Sequence, residues 1–414
     1  MDKGKTTMEE MQTANEIKRR KRGSRTFRIV LTLLCAIVIT ALITASVTWY
    51  AARRVYNKED GRLVASVKEA RDVIRDHFFY YEEDEAALTD AVLKGIATAT
   101  GDRYAEYYTE AEYEELLMQN QRNFVGIGIL TQLDEGVVKI IDVYDGTPAR
   151  EAGLTPGDVI LEINGKAYDG EALDEFLDNV LAEEGAENTF VIQRGDETLT
   201  FRIVAREVHT PAVSYRMLKD GIGYIHVQTF HGTCVEETKT ALAELREAGM
   251  TSLVLDFRDN LGGSLYDALD IADLFLPKGY VVTTLRSRSG KVTEYKTEKG
   301  GTDIKTVLLV NEMSASASEL VAGALKDYEA AYLIGTKTYG KGIVQTFYQI
   351  KETNGWLKLT TEAYYTPNGV CVQDEGITPD QIVELPEEAQ RYTIDLIPSE
   401  LDTQLLAAIA YLEE

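Results

Sequence analysis

At 414 residues the chain is too long for one ordinary core, so two or three domains follow. Hydrophobic residues make up 44% of it, which is ample for globular folding. Its formal charge of −25 repels phosphates and excludes nucleic acid as a partner.

The charge is unevenly spread. Residues 1–28 carry nine basic and four acidic side chains and read as a polar tail, disordered over 1–24. Residues 29–52 hold no charged side chain and are long enough to cross a bilayer of roughly 30 Å. The basic residues from Lys18 to Arg28 in front of that run predict a cytoplasmic N-terminus and a retained anchor. A cleaved signal peptide is the alternative, but the run is long for one and no A-x-A site ends it. Either way, everything after residue 54 is expected to be extracytoplasmic. The cysteines are Cys35, Cys234 and Cys371, with no CxxC and no zinc-ligand spacing. Two buried free thiols are expected in the folded part, and a Cys234–Cys371 disulfide stays open.

Apolar residues at Leu63, Val67, Ala70, Ile74 and Phe78 predict an amphipathic helix over 60–80. Further helices are expected over 86–99 and 109–120, interrupted by "GDRYAEYYT". The aromatic residues of this helical module are taken as packing. From Phe124 short β runs alternate with Gly, Pro and Asp turns. Five or six strands and two small helices, one over 170–181, predict a compact β-rich domain. After Pro211 strands and helices alternate: strands at "GIGYIHVQTF", "SLVLDF", "TVLLV" and "AYLIG", helices over 235–248, 265–275 and 317–328. That rhythm predicts an α/β core with a largely parallel sheet. An amphipathic helix is expected over 401–412.

In "TVLLVNEMSASASELVAGAL" three serines follow a strand and lead into a helix. A serine at such a junction can expose its hydroxyl beyond the sheet edge near the positive end of the helix. The alternative is that the serines only cap the helix. No histidine among 77, 209, 226 and 231 has a catalytic setting, and each is read as core or surface. A lysine made neutral by burial is the other base a serine can use. Lys341, between Gly340 and Gly342 in "GTKTYGKGIVQTFYQI", is the candidate, with Gln345 four positions on to hold its amine. The alternative is a solvated turn lysine. "DFRDNLGGSL" leaves an apolar strand through two glycines and could supply backbone N–H donors to an oxyanion; a plain turn is the alternative. Asp256 and Arg258 are read as a structural pair. "FVGIGI" places Gly126 and Gly128 around Ile127, where backbone N–H groups can hold a terminal carboxylate, although a glycine-rich turn serves as well.

Together these pieces, in this order, resemble the carboxy-terminal processing (tail-specific) proteases over about residues 60–412. "NEMSASASE" resembles that family's nucleophile motif, which implies Ser316 as nucleophile. "GTKTYGKGIVQ" resembles its lysine motif, implying Lys341 as base and Gln345 as the residue orienting it. "DFRDNLGG" resembles its D-x-R-x-N-x-G-G turn, implying an oxyanion hole from the N–H groups of Gly262 and Ala317; many members have proline where this chain has Leu261. "YYTPNGVCVQDEGITPD" and "GDRYAEYY" match further family stretches. Residues 122–206 resemble the family's PDZ domain, implying that the amides of Ile127, Gly128 and Ile129 bind an apolar substrate C-terminus.

The resemblance implies an α/β protease core, crotonase-like in its ββα arrangement, with an inserted PDZ-like domain. The expected division is a cytoplasmic tail 1–28, a transmembrane anchor 29–52, a helical module 53–121, the PDZ-like domain 122–206, the serine protease core 207–385 and a C-terminal helical segment 386–414. The expected activity is a membrane-anchored serine endopeptidase acting on protein or peptide tails, needing no metal and no cofactor. The resemblance also allows a homodimer through the terminal helices. A non-catalytic peptide-binding scaffold and an acyl-transferring enzyme are the alternatives; the intact Ser316, Lys341 and Gln345 weigh against the first, and the PDZ-like domain has no purpose in the second.

Overall fold

The computed structural model describes residues 33–34, 36–49, 58–80, 84–134, 136–168, 177 and 183–414. The chain divides into two units, Met1–Ala87 and Leu88–Glu414.

In the first unit, residues 33, 34 and 36–49 are helical and exposed. Among the described residues no helix is long and apolar enough to cross a membrane. The span expected over 29–52 is therefore not borne out as a complete helix, and its two ends lie outside the described residues. Helix α1 (Lys58–His77) follows, three residues shorter at its end than the periodicity predicts.

The second unit is built on a six-stranded sheet, in the order β10 (Val213–Met217), β11 (Ile222–Val227), β12 (Ser252–Asp256), β15 (Lys305–Val310), β16 (Tyr332–Gly335) and β19 (Gln381–Ile382). Only the β10–β11 pairing is antiparallel. Strands buried on both faces read as near-continuous apolar runs, as these do. Their side chains alternate between two cores. Ile225, Leu253, Leu255, Leu308 and Leu333 face helices α5 (Cys234–Glu247), α6 (Leu265–Asp273) and α7 (Ala317–Asp327). Tyr224, Val254, Val307, Leu309 and Ile334 face α8 (Thr403–Glu413) through Leu405 and Ala408. Three loops leave the C-terminal ends of β12, β15 and β16, the edge where α/β sheets place their sites.

A second sheet was not foreseen from the sequence. It joins β13 (Val281–Ser287), β14 (Val292–Lys296), β17 (Ile343–Ile350) and β18 (Gly355–Tyr365), all antiparallel. The expected helical module contributes to it. Between α2 (Glu85–Thr98) and α3 (Glu110–Asn120), Glu106–Tyr108 forms β1 and pairs with β18, Glu106 opposite Lys358. The break in helical periodicity at "GDRYAEYYT" is thus a strand.

The inserted β-rich portion is a separate sheet of β3 (Ile129–Asp134), β4 (Val137–Val143), β5 (Val159–Ile163), β6 (Lys166–Ala167), β7 (Glu187–Arg194) and β8 (Glu197–Val204), with the short helix α4 (Pro148–Ala152), around its own core of Val138, Ile140, Ile160, Phe190 and Ile192. It is tied to the rest by β2 (Asn123–Gly126) paired with β9 (Arg206–His209). The helix expected over 170–181 lies outside the described residues, apart from Leu177. Past residue 386 the chain forms short 3₁₀ turns, Ala389–Arg391 and Ile394–Leu396, before α8. Cys234 and Cys371 are both free, Cys234 buried and Cys371 half-buried, so the second thiol is less sheltered than expected.

Candidate active site

The three serines of "SASASE" separate by environment. Ser314 Oγ is fully buried and donates to Phe257 O at 2.7 Å. Ser318 Oγ is fully buried and donates to Asn260 O at 2.7 Å. These two hydroxyls stitch the loop after β15 to the loop after β12. Ser316 is half-buried and makes neither bond. It precedes the first residue of α7 with φ 56° and ψ −110°. A side chain with a Cβ rarely adopts that conformation, and holding it costs on the order of 1–3 kcal/mol.

Glu319, one turn into α7, is fully buried. Its Oε1 accepts from Thr338 Oγ1 at 2.6 Å and Gly340 N at 2.7 Å. Its Oε2 accepts from Ser316 N at 2.9 Å and Lys341 N at 2.8 Å. Four donors stabilise a buried carboxylate that would otherwise be costly. They also fix the serine turn and the lysine loop on one group. Glu319 was not among the residues expected from the sequence; an acid three positions after the serine, at the helix start, was the available signal.

Lys341 is half-buried, and its amine is held below the ordinary lysine range. Burial is the main cause, followed by the charges of Lys358 and Arg103. Its Nζ lies 4.6 Å from the ring centroid of Tyr104. Among the described residues no hydrogen bond joins it to Ser316 Oγ. Gln345 does not hold the amine either: its Nε2 donates to Thr360 Oγ1 at 3.3 Å. Four positions apart, Lys341 and Gln345 would share a face only within one unbroken strand or helix, and two features break it. β17 begins only at Ile343, and its register shifts between Val344 and Gln345, which breaks the alternation.

Gly262 lies against the serine turn. A Cβ added there would sit 2.9 Å from both Ala317 N and Ser316 Cβ, and the glycine has φ 101°. Ala317 opens α7, where the N–H has no intrahelical partner. The two expected oxyanion donors are thus neighbours. In this conformation, however, the Gly262 N–H donates to Asn260 Oδ1 at 2.9 Å, so an incoming oxygen competes with that side chain. Asn260 is itself fixed, its Nδ2 donating to Val227 O and its carbonyl accepting from Ala315 N. Asp256 and Arg258 are fully buried and paired, and the guanidinium also binds Asp402 and Gln404. That agrees with the structural reading of the pair.

In the β-rich portion, Ile127 is buried. Its carbonyl accepts from Ala149 N, and that of Gly128 from Tyr144 N. Gly128 has φ 81° and is packed on Thr147, where a Cβ would come within 2.4 Å. The loop is therefore pinned through its carbonyls, and Ile129 starts the strand beside it.

Residues 221–383 match the peptidase family S41 model and residues 125–204 match the PDZ domain model. A probable CtpA-like serine protease of Staphylococcus aureus strain COL is 34% identical over 362 residues, covering 86% of this chain and 72% of that protein. The chain belongs to peptidase family S41. A probable CtpA-like serine protease of Staphylococcus haemolyticus is 32% identical over 383 residues, covering 91% of this chain and 76% of that protein. A putative S41 protease from Bacteroides fragilis shares the fold, with a TM-score of 0.56 at 18% identity over 81% of this chain and 91% of that one. This family member is a PDZ-containing serine peptidase of the carboxy-terminal processing type.

Proposed function

We propose that this S41 peptidase is a membrane-anchored endopeptidase that cleaves protein tails outside the cytoplasm, with Ser316 as nucleophile and Lys341 as general base. The observation that carries the assignment is the Glu319 carboxylate, whose Oε2 binds the main chain of both residues. Lys341, once it has left the Tyr104 ring and given up its proton, takes the Ser316 proton as Oγ attacks a peptide carbonyl. The tetrahedral oxygen rests on the Ala317 and Gly262 N–H groups, the latter released by Asn260; one such donor is worth roughly 10²–10³ in rate. Lys341 then passes its proton to the leaving amine, and water resolves the acyl-enzyme. Gln345 orients the amine once the lysine turns from Tyr104. Ile127, Gly128 and Ile129 receive the substrate's terminal carboxylate within a domain spanning 122–206, ahead of a core at 207–385. The uncharged run 29–52, at 1.5 Å per residue, outreaches a hydrocarbon layer of about 30 Å and supplies the anchor.

The test is cleavage of an unstructured protein with an apolar C-terminus by the detergent-solubilised full chain. Ser316→Ala and Lys341→Ala should each abolish it with unchanged circular dichroism. Amidating the substrate's C-terminus should slow the wild type. Cleavage that survives Lys341→Ala sinks the base assignment, and a wild type that binds the tail without cutting it favours the scaffold.

A further inference from the structure

Tyr104 belongs to the turn between α2 and β1. The pairing of β1 with β18 carries this turn to the site, where the Tyr104 ring lies under Lys341 Nζ. The ring is held from several sides. Its hydroxyl accepts from the Arg103 guanidinium. Its N–H donates to Asp102 Oδ1 at 2.9 Å. Asp102 also bonds Thr360, the residue that accepts from Gln345 Nε2. The charged groups facing the amine are Arg103 and Asp102 from the turn, Lys358 from β18 and Glu319 from α7. Lys358 is committed to Glu106 at 2.9 Å and the Tyr108 hydroxyl at 2.6 Å. Among the described residues no carboxylate bonds the Lys341 amine, and the aromatic face is its contact.

We propose that Tyr104 is a positioning residue for Lys341: its ring face is the resting place of the ammonium, which the side chain leaves to reach Ser316. The proposal rests on Lys341 being the base. An aromatic face attracts an ammonium and not a neutral amine. The ring therefore works against burial, Lys358 and Arg103, and keeps the lysine charged and idle until it moves. The ring and the hydroxyl have separable jobs. The ring holds the ammonium and also carries the Arg103 guanidinium, 4.7 Å from its centroid, while the hydroxyl accepts from that guanidinium.

Two substitutions separate the charge effect from packing. Tyr104→Leu keeps apolar bulk over the amine and removes the aromatic face; Tyr104→Phe keeps the face. The Lys341 ¹³Cε titration is followed by NMR in the full chain carrying Ser316→Ala, assigned by the signal lost in Lys341→Arg. In Tyr104→Leu the midpoint should fall by roughly half to one pH unit, and in Tyr104→Phe it should stay within a few tenths of the parent. With Ser316 restored, the acid limb of kcat/KM should move down by the same amount in Tyr104→Leu alone. A midpoint that stays or rises in Tyr104→Leu overturns the proposal, because the ring is then only a wall excluding water. Tyr104→Met serves as the second apolar variant should Tyr104→Leu fold poorly. The titration needs no turnover, so it separates the two readings. A shifted midpoint in a chain whose cleavage survives Lys341→Ala sinks the base; an unshifted midpoint with cleavage lost in Lys341→Ala sinks the platform.

Discussion

The main-chain N–H groups of Ser316 and Lys341 donate to the same carboxylate oxygen, Glu319 Oε2, at 2.9 and 2.8 Å. Ser316 and Lys341, 25 residues apart in sequence, therefore share one buried anchor. Replacing Glu319 with Gln puts an amide where four donors converge, leaving at least one donor opposed by another. Each unsatisfied buried group costs about 1–3 kcal/mol. Glu319→Gln should lower Tm and reduce kcat by more than tenfold while the chain still folds, measured by thermal melts and peptide cleavage.

Ser316 holds a strained backbone that glycine adopts freely. Relief of about 1–3 kcal/mol of strain exceeds the 0.5–1 kcal/mol that glycine loses through chain entropy. Ser316→Gly should therefore be inactive yet more stable than Ser316→Ala, by about 1 kcal/mol in denaturant unfolding. Equal stabilities would show that the turn carries no strain.

Gly262 can carry no side chain. A Cβ there would lie 2.6 Å from Ala315 O, on a backbone at φ 101°. Gly262→Ala should shift the turn, cost about 2 kcal/mol or more of stability, and reduce kcat by roughly 10²-fold or more through displaced donors. Unchanged kcat would remove Gly262 from the oxyanion hole.

His226 links the sheet to the C-terminal segment. Its Nδ1 lies 3.0 Å from Asp395 Oδ1 and its Nε2 3.2 Å from Arg258 O. Both neighbours are acceptors, so only the doubly protonated ring can donate to both. Burial opposes the charge, but the bond to Asp395 and the charges of Asp256 and Asp395 outweigh it and raise the imidazole pKa. A raised histidine stabilises fully below its unfolded value of about 6.5, and the gain is lost as pH rises through the folded value. For Asp395 burial acts upward, but the His226 bond prevails and lowers it. Its contribution is present above about 3.9 and is lost as pH falls through the folded value. Stability should thus decline above neutral pH. Asp395→Asn should be destabilised by roughly 3 kcal/mol at pH 6 and by less at pH 9, read from denaturant midpoints. A constant gap between the two proteins at all pH values would show that His226 is neutral throughout.

The parallel strands were legible because they are buried on both faces, as the apolar runs at Leu253–Leu255 and Val307–Val310 announce. The antiparallel sheet was not, because β17 and most of β18 are half-buried and carry no clean alternation. β1 was hidden for another reason: a three-residue strand exists only through its partner, nearly 250 residues away.

The order and chemistry of the motifs in the sequence determined the family and the residue types available for catalysis, since a strand–turn–helix with small neighbours can expose only a few hydroxyls. Tertiary structure decided which serine stands free, because burial fixed Ser314 and Ser318 on carbonyls from a distant loop. It also decided what surrounds Lys341. The Tyr104 ring lies against it, the charges of Glu319 and Lys358 act on it from a helix and a strand, and a register shift turns Gln345 toward Thr360. Periodicity records which face of an element is apolar; it holds no record of which distant side chains meet there.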